Sequence, residues 1–295
     1  MKGTRGGGAV SLTALAEVAQ EHLETQWMSE AQARRVLRVL GSFARFAIAA
    51  ERVTSPNAVT TELSRSFIEA RSADGSLPTI AEQHFRRTAL RIMFRVGRQI
   101  GSASGDPTLD IALPARSPVA TRPLTDEEIL LCRGCAAWSL ADTRRTAAWA
   151  LAEATARTVE IAQVRVGDVD IDHARVWIHG GNVTTPRWGE LNTWARRQLA
   201  QRVEALGDDP KARVAYSGHK APEVGQVSAC IAIEDVLTRA GLAQEPDVRP
   251  ASVAAWAGGQ ILEKTGRIDE VARRLGMRSL DRAGRFIGFD WNATD

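Results

Sequence analysis

A mainly α-helical chain with a small β-sheet, divided into two domains, is the fold class that the sequence predicts, on three observations. Apolar residues recur at helical spacing in several separate stretches. Short runs of strand character cluster between residues 166 and 191. One stretch, Gly101–Leu124 (GSASGDPTLDIALPARSPVATRPL), breaks the pattern with four prolines and two glycines and reads as a linker. The expected organisation is a helical N-terminal domain over 1–103, a linker over 104–123 and a mixed domain over 124–295. A chain of 295 residues has room for two cores.

The elements follow in order. Leu12–Trp27 is a weakly amphipathic helix. Ser29 with Gln32 forms a capping box before a helix whose apolar stripe is Ala33, Val36, Leu37, Leu40 and Ala44. A short helix covers Thr61–Ala70, and a longer one runs over Pro78–Ile100 with Phe85, Ala89, Ile92, Met93, Val96 and Ile100 as its buried stripe. Thr125 with Glu128 caps a helix through Trp138, and Thr143–Ala156 is helical again. Strands are predicted at Val166–Asp170, Arg175–His179 and Arg187–Leu191, the last two joined by a turn that begins Gly180–Gly181–Asn182. Helical patterning returns at Thr193–Leu206, Ala229–Ala240 and through most of Ala251–Phe286.

Composition narrows the function classes. No apolar run approaches the roughly 18 residues of a membrane span, and Met1–Val10 has no apolar signal core. Three cysteines cannot build a disulfide framework, which points to a reducing, cytoplasmic setting. Cys132 and Cys135 form a CxxC, but no second pair of Cys or His lies at usable spacing and the motif sits in a predicted helix. It reads as core packing, with no metal and no cofactor expected.

Basic charge is concentrated toward the N-terminus. Residues 1–120 hold 15 Lys or Arg against 11 Asp or Glu, whereas residues 121–295 hold 23 against 24. Arg87, Arg91, Arg95 and Arg98 share one face of the Pro78–Ile100 helix, and Arg34, Arg38 and Arg45 share one face of the second helix. Two cationic faces suit phosphate contact along a duplex, so all seven arginines are expected to bind DNA. The Arg87–Arg98 row is expected off the core, where substitution leaves folding intact. Val271–Phe286 also permits a helix-turn-helix, with Gly276 ending the first helix and Arg282 and Arg285 on the second.

Several segments together resemble the tyrosine recombinase (phage integrase) family. The N-terminal helices followed by LTDEEI (Leu124–Ile129) are similar to its core-binding domain and the start of its catalytic domain. ATARTVEIAQVRVGDVD (Ala154–Asp170) resembles the first active-site box, which puts Arg157 on the first catalytic arginine and Glu160 on its supporting acid. The hairpin at Arg175–Leu191 is similar to the family's hairpin. PDVRPASVAAW (Pro246–Trp256) resembles the His-x-x-Arg box and puts Arg249 on the second catalytic arginine. RLGMRSLDRAGRFI (Arg274–Ile287) resembles the closing segment that carries a histidine and then the tyrosine.

The resemblance implies phosphoryl transfer to a tyrosine, and the residues for that chemistry are mostly absent. The nucleophile position is Phe286, which has no hydroxyl. No lysine occurs between Lys2 and Lys211 to serve as hairpin general acid, and the two histidine positions read Pro246 and Met277. Arg157 and Arg249 survive as a possible phosphate clamp. The expected function is duplex DNA binding by a catalytically inactive recombinase fold, nucleoid-associated, in recombination, integration or regulation. Expected partners are double-stranded DNA and a further copy or a partner recombinase, with no membrane. An active recombinase using Tyr216, the one tyrosine in the chain, and a non-enzymatic interaction module are the alternatives.

Overall fold

The computed structural model describes residues 11–24, 30–72, 75–115, 121–137, 142–207, 209–216 and 222–289. Ser29, residues 25–27, Trp138, part of the expected linker (116–120), Lys2 and Lys220 lie outside them. The chain divides into two compact units, Met1–Arg116 and Ser117–Asp295.

The first unit holds four α-helices among its described residues: α1 (Leu12–Glu24), α2 (Glu30–Glu51), α3 (Thr61–Glu69) and α4 (Ile80–Gln99). Thr60 caps α3 and Thr79 caps α4, each hydroxyl accepting a backbone N–H three residues on. Helix α4 is the centre of this unit, packed by α1, α2 and α3. Every residue from His84 to Gly97 is buried, so the helix has no solvent face over three turns. At its end Ile100 is exposed rather than part of the apolar stripe, because the helix has already turned out at Gln99.

The expected linker begins by folding back on α4. Ala103, Thr108 and Ile111 are buried, and their carbonyl-bearing backbone runs beside the helix's arginine row. Irregular backbone that is buried must find donors elsewhere. Here the arginines of α4 supply them.

The second unit is a helical body with one small sheet. Its described helices are α5 (Asp126–Ala136), α6 (Thr143–Glu153), α7 (Thr158–Ile161), α8 (Thr193–Leu206), α9 (Pro222–Arg239), α10 (Ala251–Thr265), α11 (Ile268–Arg274) and α12 (Leu280–Phe286). The Thr125–Glu128 capping box is formed in both directions. β1 (Val169–Asp170), β2 (Arg175–Ile178) and β3 (Arg187–Glu190) make an antiparallel sheet in the order β1-β2-β3. The first expected strand is mostly a 3₁₀ turn, Val166–Asp168, and only its last two residues pair. The predicted helical tract Ala251–Phe286 is broken at Gly266 and Gly276, both with positive φ. Cys132 and Cys135 are buried in α5 and not joined in a disulfide, and no metal-ligand cluster occurs among the described residues. No described helix is long and apolar enough to cross a membrane.

Candidate functional site

The site is built where the α6–α7 turn, β3 and α11–α12 meet. Helix α6 ends at Glu153, and Thr155 takes a positive φ of 75° to redirect the chain. That conformation is costly for a β-branched residue. Thr155 is held there because its hydroxyl donates to the Arg274 carbonyl at 2.7 Å while its own carbonyl accepts from Arg187 at 2.7 Å. The turn delivers Arg157 to the N-terminus of α7.

Glu160, fully buried, organises the centre. Its carboxylate accepts a forked pair from Arg187 at 2.8 and 2.9 Å, the Thr184 hydroxyl at 2.6 Å and the Arg157 backbone N–H at 2.8 Å. Burial alone pushes this carboxyl up, but the Arg187 hydrogen bonds and charge, with Thr184 and the Arg157 amide, hold it below the ordinary carboxylate value. The partner of Glu160 is thus the Arg187 side chain, and Arg157 contributes only its amide. Arg187 also donates to the Arg274 and Thr185 carbonyls. Gly276 makes room for it, since a Cβ there would stand 2.6 Å from Arg187 Nη1.

With Glu160 engaged elsewhere, the Arg157 guanidinium lies over the Phe286 ring, 5.2 Å from its centroid. Its pKa falls below the usual arginine value. Burial is the main cause, opposed by Glu160 and aided by the positive charges of Arg187 and Arg282. Among the described residues no carboxylate is within ion-pair distance of the Arg157 side chain. The result is a cationic cluster of Arg157, Arg187 and Arg282, and such a cluster favours an anion.

The remaining predicted site residues divide. Arg34, Arg38 and Arg45 are exposed on α2, as expected of a contact face. The α4 row does not form one. Arg87, Arg91 and Arg95 are each about 1 % exposed. Arg87 donates to the Ile111 carbonyl at 2.7 Å and to His84 Nδ1 at 3.0 Å, leaving His84 Nε2 to donate to the Pro114 carbonyl at 2.7 Å. Arg91 donates to the Thr108 carbonyl at 3.2 Å, Arg95 to Gln99 at 3.2 Å, and Arg98 pairs with Asp106 at 3.4 Å. Helical spacing identified a shared face, but that face is covered by the segment expected to be a linker. The expectation that substituting these arginines spares the fold is corrected accordingly.

Arg249 is exposed at the start of α10, with Nη1 on the Val248 carbonyl at 2.7 Å. The cations whose charge lowers the Arg157 pKa are Arg187 and Arg282. Pro246 is exposed. Met277 packs against the apolar cluster of α11 and α12 beside Phe286. Tyr216 is buried, its ring against Gly225 and near the Arg213 guanidinium at 5.8 Å.

Arg187 escaped the sequence reading, although a signal for it existed. It faces Ile178 across the hairpin, on the side that Val176 and Gly189 also bury. An arginine on the inward parity of a strand needs a buried anion. Arg122 was missed for a different reason, because it sits in the expected linker. It is buried with a forked pair to Glu128 at 2.8 and 2.9 Å and lies 3.3 Å from Asp247.

No family model matches the sequence, and no curated protein sequence does. The solved structures that match include XerA recombinase, 14% identical, covering 96% of this chain and 95% of that one with a TM-score of 0.49. A lambda integrase (75–356) dimer bound to a COC′ core site is 15% identical, covering 97% and 99% with a TM-score of 0.43. An integrase from mycobacterium phage Brujita is 19% identical, covering 95% and 94% with a TM-score of 0.40. In each case the similarity spans nearly the whole length.

Proposed function

We propose that the chain binds duplex DNA through a recombinase-like fold and forms no covalent bond with it. The observation that carries this reading is the contact of Arg157 with Phe286. The group beside the best phosphate-binding arginine is an aromatic ring without a nucleophilic oxygen. The arginine cluster can stabilise a phosphate, but neither Phe286 nor Met277 moves a proton or attacks phosphorus. The exposed Arg34, Arg38 and Arg45 of α2 support duplex contact from the first unit. Burial of Tyr216 argues against its use as a displaced nucleophile.

The test is incubation with nicked duplex followed by a denaturing gel, beside a gel shift at two salt concentrations. The wild-type chain should shift duplex in a salt-dependent way and leave no protease-sensitive covalent band. Phe286→Tyr should leave none or a trace, because a missing general acid alone costs about 10²–10⁴-fold. A covalent band from the wild type would overturn the inactive reading, and its loss in Tyr216→Phe would identify the displaced nucleophile. Absence of any duplex shift would overturn the DNA reading.

A further inference from the structure

We infer that Arg165, Arg213 and His179 form a second phosphate-binding groove, separate from the Arg157 cluster. The inference begins with backbone. Val166 N–H donates to the Ala212 carbonyl at 2.9 Å and Val214 N–H to the Val164 carbonyl at 3.0 Å. These two bonds bracket an antiparallel bridge between Arg165 and Arg213. The bracketed pair is of the non-hydrogen-bonded kind, in which the Cα atoms stand only about 4.5 Å apart and side chains project together. Val164 and Val214, on either side of the bridge, are fully buried and fix both segments to the core.

Two arginine side chains therefore leave neighbouring backbone positions on one face, and like charges directly opposite one another are destabilising. A neighbouring carboxylate would ordinarily relieve this. The one nearby, Asp168, is bonded through Oδ2 to the Arg165 backbone N–H and to His179 Nε2, each at 2.8 Å, and to neither guanidinium. Among the described residues no ion pair is made by either arginine. Arg165, Arg213, His179, Gln163 and Ala162 line a groove of about 410 Å³. The Arg213 guanidinium also lies 5.8 Å from the Tyr216 ring, which orients its fork.

Two forked donors at close spacing match the oxygens of a phosphate ester. An anion bound between them would remove the repulsion that the fold leaves standing. A phosphate ester of this kind is carried by the DNA backbone, which deepens the function proposed above, and by small molecules, and the assays below separate the two sources.

The full chain and the Arg165→Gln/Arg213→Gln variant are compared in two assays. In the first, inorganic phosphate should raise the wild-type melting temperature above that in chloride of matched ionic strength, and the variant should lose the rise. Without phosphate the variant should melt no lower than wild type, because the like-charge pair is gone. Arg165→Lys/Arg213→Lys should keep part of the phosphate effect. In the second, a gel shift on duplex across salt should show the variant's log–log slope reduced by about one unit per phosphate released. A flatter slope assigns the phosphate to DNA. An unchanged slope with the thermal effect lost assigns it to a small ester. If wild type fails to bind duplex, the DNA reading falls and the phosphate assay alone decides this one. The inference is overturned if wild type shows no phosphate-specific rise, if the Gln variant keeps it, or if that variant melts lower without phosphate.

Discussion

Helices α2 and α4 carry arginines in rows of similar spacing, and the two rows have opposite fates. Arg34, Arg38 and Arg45 reach solvent, whereas Arg87, Arg91 and Arg95 are buried, the first two donating to carbonyls of residues 108–111. Spacing along a helix decides which side chains stand together. What lies over them is decided by segments distant in sequence. On α4 the cover is a stretch of irregular backbone whose carbonyls need donors, and a guanidinium offers five in a fixed plane. The same residue type therefore serves packing in one helix and reaches solvent in the other.

The largest effect should come from Arg87→Gln/Arg91→Gln/Arg95→Gln. Each substitution removes charge-assisted bonds worth about 1.5–3 kcal/mol, and the covering carbonyls are left buried. Chemical denaturation should show the first unit losing several kcal/mol or failing to fold. A melting curve like that of wild type would return these arginines to the surface. Arg187→Gln tests whether the second unit depends on a buried guanidinium in the same way. It strands Glu160 and should cost about 3–5 kcal/mol.

A pH series sharpens that second test. The folded-state pKa of Glu160 is depressed, so its contribution is present above the unfolded carboxylate range and lost as pH falls through the folded value. Glu160→Gln should therefore lower stability at neutral pH and flatten its acid dependence below about pH 4.3. A parallel downward offset at every pH would show that the charge is not involved. On α2 the expected effects are reversed in kind. Arg34→Gln/Arg38→Gln/Arg45→Gln should change stability by no more than about 0.5 kcal/mol per site while flattening the duplex-binding salt slope by up to about 2.7 units. Phe286→Leu should also have a small effect, the loss of a cation–π contact worth about 0.5–1 kcal/mol in thermal melts.

Local signals carried much of the fold. The Thr125–Glu128 box, the α8 boundaries at Thr193 and Leu206, and the β2–β3 hairpin all appear where short-range pattern places them. Helix α7 is a single turn and offers no periodicity to detect. The missed parts of the site are long-range pairings. Arg187 meets Glu160 across 27 positions and Arg274 across 87, and nothing local to either announces the other. The prolines and glycines of residues 104–115 point to a linker, yet Thr108 and Ile111 pack inside the unit. Their polarity and turns suited a loop, and the donors that make the loop burial possible lie on another element.

The hydrogen bonds from Arg87 to Ile111 and from His84 to Pro114 bear on how the protein can be dissected. An expression fragment cut at residue 103 would end just beyond α4, but it would remove the carbonyls to which Arg87, Arg91 and His84 donate. Such a fragment would leave those donors of α4 without acceptors that the first unit supplies. Autonomous folding of the first unit should therefore be measured on a piece that extends through residue 115.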